Sequence, residues 1–138
     1  MNNRVLIIEN SQQFHEAFKM LLELSNNGTG IHMVGLDCEY VTKNLHPESY
    51  ENANWCRKKD QHKVAAKLQI AVETFCIIVD LCKMGHDLPN DLILILESEN
   101  WLKYGVGITI DMDILAFQYN LKKCSGVFDM GIICKFLG

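Results

Sequence analysis

The sequence predicts an α/β domain with a mixed central sheet and flanking helices. Short apolar runs alternate with amphipathic stretches of helical period, a pattern typical of layered α/β folds. Two of the runs are joined by only two residues, which favours an antiparallel hairpin, whereas helices separate the later runs and favour parallel pairing. We therefore expect the first three strands to be antiparallel and the later ones parallel. The 138 residues fit a single domain over 1–138.

The first third of the chain predicts a strand, a helix and a second strand. Residues 5–8 form a short apolar run, and the helix begins at Ser11, a favourable N-cap residue. The Asn-Asn-Gly sequence at residues 26–28 ends this helix, because Asn and Gly tolerate the left-handed cap conformation. The second strand covers residues 31–39. The helical spacing predicts an inner face made of Phe14, Ala17, Phe18, Leu21 and Leu22.

The middle of the chain predicts a long excursion, a hairpin and a second helix. Residues 41–63 are polar and lack a clear period, and they are long for a loop, which indicates a functional or mobile excursion. Residues 68–72 and 75–80 predict two hairpin strands joined at Glu73 and Thr74. A helix is predicted over 87–98, with a proline in its first turn. Its inner stripe is predicted to comprise Leu88, Leu92, Ile95 and Leu96.

The last third predicts two short strands around a third helix. Residues 102–106 form the first of these strands and residues 126–130 the second, and residues 132–137 begin a final helix. The third helix lies between the two strands. Its apolar side is predicted to comprise Ile110, Ile114, Phe117 and Leu121.

Composition places the chain among ordinary globular proteins. The net charge is −4, so the chain as a whole is no polycation. The longest aliphatic run, residues 92–96, is far shorter than the ~20 residues of a membrane span, and the N-terminus has no secretory signal. The six cysteines show no C-x-x-C spacing, which indicates reduced thiols rather than a disulfide framework. We expect an intracellular protein of the nucleus or cytoplasm.

Two carboxylates follow the apolar start of the second strand. Side chains alternate along a strand, so Asp37 and Glu39 should share one face while Leu36 and Cys38 take the other. Adjacent carboxylates repel each other unless a cation or a proton lies between them. The pair is therefore either a solvated strand end or half of a metal site.

A third carboxylate, Asp111, follows a glycine-flanked strand end. Gly105 and Gly107 allow the backbone to turn tightly before the third helix begins. Acidic residues also favour helix starts as caps, so Asp111 is either a helix cap or a further ligand of the same site.

A basic segment could contact a nucleic-acid backbone. Residues 41–70 carry six Lys/Arg against three acidic residues, a local charge of 6 − 3 = +3. Such a surface fits a polyanionic substrate, and it equally fits a solvated loop. Trp55 and Tyr50 lie near these basic residues in the sequence, and their rings could stack on a base. The candidate contacts are Arg57, Lys58, Lys59, Lys63 and Lys67.

Four segments together resemble the DEDD 3′–5′ exonuclease family, which has a ribonuclease H-like fold. The nearest relatives look like ribonuclease D and the Werner-syndrome-type exonuclease domain. Residues 34–39 are similar to the first motif, residues 103–111 to the second, residues 67–71 and 77–81 to the hairpin strands, and residues 128–130 to the following strand.

The resemblance implies hydrolysis of phosphodiester bonds at nucleic-acid 3′ ends with two Mg²⁺ or Mn²⁺ ions. By this resemblance Asp37 bridges both ions, Glu39 binds the ion that activates the attacking water, and Asp111 supports the leaving-group ion. The substrate is then a single-stranded 3′ end of DNA or RNA.

The family's third motif, a Tyr or His followed four residues later by Asp, is absent. No tyrosine of the chain has an Asp at that spacing. We therefore expect a domain truncated at its C-terminal end, whose apolar sheet surface is left for a homo-oligomer or a protein partner. The alternative function is a catalytically inactive exonuclease-like module that binds nucleic acid or a protein.

Overall fold

The computed structural model describes residues 4–42 and 63–137. Within these residues the strands are β1 (Arg4–Ile8), β2 (His32–Thr42), β3 (Lys63–Val72), β4 (Phe75–Asp80), β5 (Trp101–Gly105) and β6 (Val127–Asp129). The helices of the same residues are α1 (Ser11–Ser25), α2 (Leu81–Met84), α3 (Asn90–Glu97), α4 (Ile108–Gln118) and α5 (Met130–Leu137).

The described strands form one six-stranded mixed sheet in the order β1-β4-β3-β2-β5-β6. Strands β2, β3 and β4 pair in antiparallel fashion, and β2, β5 and β6 pair in parallel. The predicted mixed sheet with flanking helices is therefore confirmed. In detail, the antiparallel trio is β2, β3 and β4, whereas β1 lies at the edge and pairs in parallel with β4.

Helix α1 is held to the core by its aromatic and aliphatic stripe. Asn10 caps the helix, because its side chain accepts a hydrogen bond from the backbone N–H of Gln13 at 2.9 Å, so the cap lies one residue before the predicted Ser11. Four of the five predicted inner residues are buried, but Leu22 is 37% exposed. Phe18 packs against Trp101 of β5 at a ring-centroid distance of 5.8 Å.

The helices α1, α3 and α4 cover one face of the sheet. Three residues of the predicted stripe, Leu92, Ile95 and Leu96, are buried in α3 as expected. The helix begins after Pro89 rather than at residue 87, so Leu88 is buried but precedes it. On the covered face the strands contribute a continuous aliphatic core that includes Val34, Leu68, Ile70 and Ile77. The hydrophobic effect of burying these side chains is the main force that holds the helices on the sheet.

The opposite face of the sheet carries exposed apolar side chains. Strand register places the odd-numbered residues of β1 and β2 on this face, together with the even-numbered residues of β5 and β6. The large apolar side chains exposed there are Val5, Ile7, Met33, Tyr104 and Phe128. The apolar sheet surface expected from the sequence is thus present in the described residues. We call these five side chains the open sheet face.

Helix α4 turns a different side to the core than its periodicity predicts. Its buried apolar residues are Ile108, Met112 and Leu115, whereas Ile110 is 66% and Phe117 38% exposed. Apolar residues occur all around this helix, so their spacing does not single out one face. The orientation is set instead by tertiary contacts at both helix ends, which are described below.

The predicted polar excursion falls mostly on residues 43–62, which lie outside the described residues. No helix among the described residues is long and apolar enough to cross a membrane.

Candidate active site

The end of β2 presents two carboxylates on the open side of the sheet. Asp37 and Glu39 are exposed, whereas Leu36 and Cys38 between them are 5% and 7% exposed. The alternation expected from the sequence is therefore confirmed. Oδ1 of Asp37 accepts a hydrogen bond from the backbone N–H of Cys38 at 3.0 Å, which fixes the carboxylate against its own strand.

Asp111 lies in the first turn of α4 and is only 8% exposed. The hydroxyl of Tyr40 donates a hydrogen bond to its Oδ1, and the backbone N–H of Cys38 also bonds to the carboxylate. Because the same N–H serves Asp37, the carboxylates of Asp37 and Asp111 approach each other at the end of β2.

Burial raises the pKa of Asp111, and repulsion from Asp37 and Asp129 raises it further. The hydrogen bonds from Tyr40 and from the N–H of Cys38 oppose this rise. Burial also raises the pKa of Tyr40, and its bond to the Asp111 carboxylate adds to the effect. Tyr40 is therefore a neutral hydrogen-bond donor at physiological pH.

The start of α4 is held by a carboxylate from the neighbouring strand. Oδ1 of Asp129, at the end of β6, accepts hydrogen bonds from the backbone N–H groups of Gly107 and Gly131, and Oδ2 accepts one from Thr109 at 3.4 Å. Some desolvation raises the pKa of Asp129, but these backbone donors lower it below the ordinary value overall. One side chain thus caps both α4 and α5.

The C-terminal end of α4 is hydrogen-bonded to the sheet next to a β-bulge in β3. Glu39 pairs with Lys67 but Tyr40 with Ala65, so Ala66 is an extra residue in β3 and forms a bulge. The buried side chain of Gln118 bonds to both the N–H and the carbonyl oxygen of Ala65, each at 3.1 Å. With both ends fixed, α4 keeps Asp111 beside the carboxylates of β2.

Gly105 allows β5 to pass close to the carboxylate strand. A Cβ atom at this position would lie 2.4 Å from the carbonyl oxygen of Leu36. Any side chain larger than hydrogen therefore forces the two strands apart immediately before Asp37. Gly107, two residues later, has φ +69°, a left-handed conformation that suits glycine at the start of α4.

One candidate nucleic-acid contact lies beside the carboxylates. Lys67 is exposed, and strand register places it between Glu39 and Asp80. The side chain of Lys63, the first residue of β3, is not described. The basic residues Arg57, Lys58 and Lys59 lie outside the described residues, so the basic surface stays a prediction.

The carboxylate oxygens of Asp37, Glu39 and Asp111 are suitable ligands for a hard divalent cation, but their arrangement does not fit one. Carboxylate oxygens are the ligands that Mg²⁺ and Mn²⁺ prefer. Within residues 4–42 and 63–137, however, no three His, Cys, Asp or Glu side chains are grouped closely enough to hold a metal ion. The Asp111 carboxylate accepts a hydrogen bond from the hydroxyl of Tyr40. As the side chains stand, the three carboxylates do not converge on one point.

Sequence reasoning did not assign a role to Tyr40, Asp129 or Gln118. Strand alternation could have placed Tyr40 on the covered face with Cys38, and hence near the helix that packs there. The capping by Asp129 and the bonds of Gln118 join segments far apart in the chain, and no local pattern signals them.

No family model and no curated protein matches the chain. Among solved structures, it is similar to the crystal structure of the EXD2 exonuclease domain, with a TM-score of 0.72 and 23% identity over 96% of this chain and 58% of that one. The form soaked in Mg and GMP gives a TM-score of 0.70 at 23% identity, over 95% of this chain and 58% of that one. The form soaked in Mn and GMP gives 0.69 at 22% identity, over 96% and 58%.

The similarity extends over nearly all of this chain, but the chain spans only 58% of the length of the exonuclease-domain structures. Identity at this level shows the fold alone. The mixed six-stranded sheet with its flanking helices therefore has the ribonuclease H-like fold of an exonuclease domain.

Proposed function

We propose that this chain is a 3′–5′ exonuclease-like domain, which hydrolyses phosphodiester bonds at nucleic-acid 3′ ends with divalent metal ions. The observation that carries the proposal is the approach of the Asp37 and Asp111 carboxylates at the end of β2, with Glu39 on the same strand face as Asp37. The similar EXD2 exonuclease-domain structures were soaked in Mg or Mn together with GMP or dGMP, which supports the choice of ion and of ligand class.

The three carboxylates are the proposed metal ligands. A bound Mg²⁺ or Mn²⁺ ion would stabilise the charge that develops at the cleaved phosphodiester. The contribution of this chain is to hold the carboxylates: Asp37 is fixed by the N–H of Cys38, and Asp111 is fixed by the tethered helix α4. Rigid placement on a strand and a capped helix start is what such a site requires.

Of the proposed substrate contacts, Lys67 lies on the same side of the sheet as Asp37 and Glu39. Lys67 sits next to Glu39 in the register of β3 and offers a cation for a phosphate. Together with Arg57, Lys58, Lys59 and Lys63, it would hold a single-stranded 3′ end of DNA or RNA. Phosphate contacts of this kind position a strand without reading its sequence.

A second candidate is an exonuclease-like module that binds nucleic acid or a protein without cleaving it. Two observations favour it: the three carboxylates do not converge as they stand, and the open sheet face offers an apolar surface to a partner.

A cleavage assay tests the first proposal against the second. The purified chain is incubated with 5′-labelled and 3′-labelled single strands of DNA and RNA, with Mg²⁺, with Mn²⁺ and with EDTA. We expect shortening from the 3′ end that requires the metal and is lost in Asp37→Asn. The matched control is Asp113→Asn, which removes an exposed carboxylate two residues from Asp111 and should leave cleavage unchanged.

The opposite result is equally informative. If the wild-type chain and Asp37→Asn are both inactive with either metal, and both still retain the labelled strand in a binding assay, the binding module is the better description.

A further inference from the structure

We propose that the outer edge of β1 pairs in antiparallel fashion with β1 of a second copy of this chain, so that the two sheets join into one. This pairing concerns an edge of the sheet and is independent of the proposed activity at the end of β2. Three features of β1 support it: the direction of its backbone groups, the side chains beside them and the symmetry of the strand.

One edge of β1 has no strand beside it among the described residues. In the order β1-β4-β3-β2-β5-β6, β1 lies at the end and pairs with β4 alone. The N–H of Arg4 donates to the carbonyl oxygen of Thr74 at 3.1 Å, so Arg4 directs its backbone groups towards β4. Because successive residues of a strand direct these groups to opposite sides, Leu6 also points to β4, whereas Val5 and Ile7 point outward.

The outward groups of Val5 and Ile7 are available to a further strand. Each of the two residues offers one N–H and one C=O, and no described strand lies where it would bond to them. Unpaired backbone groups at a sheet edge pair readily with another chain unless proline, a bulge or charged side chains block the edge. The register of β1 with β4 is continuous, and residues 5–8 are all apolar. After Arg4, β1 therefore carries none of these protective features.

The side chains beside this edge also favour pairing. Val5 is 59% and Ile7 63% exposed on the open sheet face. β-branched side chains on neighbouring strands pack against each other and stabilise the pair. A second strand along this edge would cover part of both side chains, and it would place the open sheet faces of the two copies side by side.

A two-fold axis through Leu6 satisfies both outward residues at once. In this register Val5 of each copy faces Ile7 of the other. Each such pair exchanges two hydrogen bonds, so the interface contains about four of them. The two Arg4 side chains lie at opposite ends of the paired strands, so the like charges do not meet.

The end of β1 limits the choice of register. The N–H of Glu9 donates to Oε1 of Gln13 at 2.7 Å, so the available edge ends at Ile8. An axis at Ile7 would place Glu9 opposite Val5, and the N–H of Glu9 is already bonded. The axis through Leu6 therefore keeps more hydrogen bonds than the axis at the next outward residue.

The second edge of the described sheet is a weaker candidate for pairing. Strand β6 has three residues, Val127–Asp129, and α5 begins immediately after it. Pairing of β1 with β6 of another copy would leave one free edge of each kind and would extend into a fibre. Pairing of β1 with β1 uses the longer edge of both copies and closes at a dimer.

The test compares two variants at one position by sedimentation equilibrium. Ile7→Pro removes the outward N–H but keeps an apolar side chain, and proline is tolerated at a strand edge whose N–H faces solvent. Ile7→Val keeps both the N–H and a β-branched side chain. We expect the wild type and Ile7→Val to dimerise alike. In Ile7→Pro the dissociation constant should rise at least about tenfold, because each dimer loses two hydrogen bonds.

Equal dissociation constants for Ile7→Pro and Ile7→Val overturn the proposal, since association would then depend on the apolar side chain and not on the backbone. A wild-type chain that stays monomeric also overturns it.

Hydrogen exchange of the wild-type chain examines the same edge without a variant. The exchange rates of single N–H groups are measured by nuclear magnetic resonance at low and at high protein concentration. We expect the N–H groups of Val5 and Ile7 to exchange more slowly as the dimer forms, while the N–H of Leu6, which β4 already protects, changes little. If the chain associates but Val5 and Ile7 still exchange at the monomer rate, the copies meet through another surface and the proposal is wrong.

Discussion

Oδ1 of Asp129 accepts a hydrogen bond from the backbone N–H of Gly107 at 3.2 Å, and this contact ties the end of β6 to the start of α4. Gly107 precedes Asp111 by one helical turn, so the contact fixes the position of Asp111 relative to the end of β2. The site is thus assembled by three strand ends: Asp37 comes from β2, the turn before α4 follows β5, and the cap belongs to β6.

Replacement of Asp129 by Ala should lower the thermal midpoint of unfolding, because the N–H groups at the starts of α4 and α5 lose their shared acceptor. The effect should depend on pH. The pKa of Asp129 is lowered in the folded state, so its contribution is present above the ordinary pKa and is lost as the pH falls through the folded value. Scanning calorimetry of Asp129→Ala and of Asp113→Ala checks this. Equal midpoints for the two variants at neutral pH would show that the cap contributes nothing.

Replacement of Gly105 by Ala should destabilise the protein by about 2–3 kcal/mol, because the new methyl group would meet the carbonyl oxygen of Leu36. Gly35, the residue before Leu36, supplies the control. A Cβ atom there meets only the ring of Tyr104 at 3.5 Å, so Gly35→Ala should be tolerated. Urea denaturation gives both free energies of unfolding. If Gly105→Ala and Gly35→Ala have the same free energy of unfolding, the close approach of β5 to β2 is disproved.

Lys103 should make stability rise with pH in the alkaline range. It is fully buried in β5, its Nζ donates to the carbonyl oxygen of Ser98 at 3.0 Å, and burial lowers its pKa from 10.5 to about 8. Between these two values the unfolded chain binds more protons than the folded one, so the free energy of unfolding increases with pH.

Urea denaturation across this pH window should therefore show wild type gaining roughly 1–3 kcal/mol over Lys103→Met. The control is Lys67→Met, which removes an exposed lysine from β3 and should keep the wild-type slope. Parallel curves for wild type and Lys103→Met would mean that the folded state holds this lysine at its ordinary pKa.

The open sheet face should cause self-association. Ile7, which is 63% exposed there, is the most exposed of its five residues, and an apolar surface of this kind tends to become buried against another molecule. We expect concentration-dependent sedimentation of the wild type that Ile7→Lys reduces. Leu94→Lys, at an exposed position of α3 on the helical side, should leave the association unchanged. A wild-type chain that sediments as a monomer at every concentration would be inconsistent with this prediction.

The feature of the site that the sequence predicts best is the shared strand face of Asp37 and Glu39, which follows from strand alternation. It places Asp37 and Glu39 on one face without any tertiary information, because the period of two is a property of the strand itself. The position of Asp111 near them followed only from the resemblance of residues 103–111 to an exonuclease motif.

The contacts that hold Asp111 have no local signal. The predicted inner face of α4 was wrong at Ile110 and Phe117, because apolar residues surround that helix and tertiary contacts, among them those of Asp129 and Gln118, orient it. Tyr40 reaches Asp111 across 71 residues of sequence, from a strand whose pairing is shifted by the bulge at Ala66.

The most direct test of the central claim is the position of Mn²⁺ in crystals of this chain, located by its anomalous scattering. We expect a peak bound by carboxylate oxygens of Asp37, Glu39 and Asp111. A peak elsewhere on the molecule would contradict the proposed metal site.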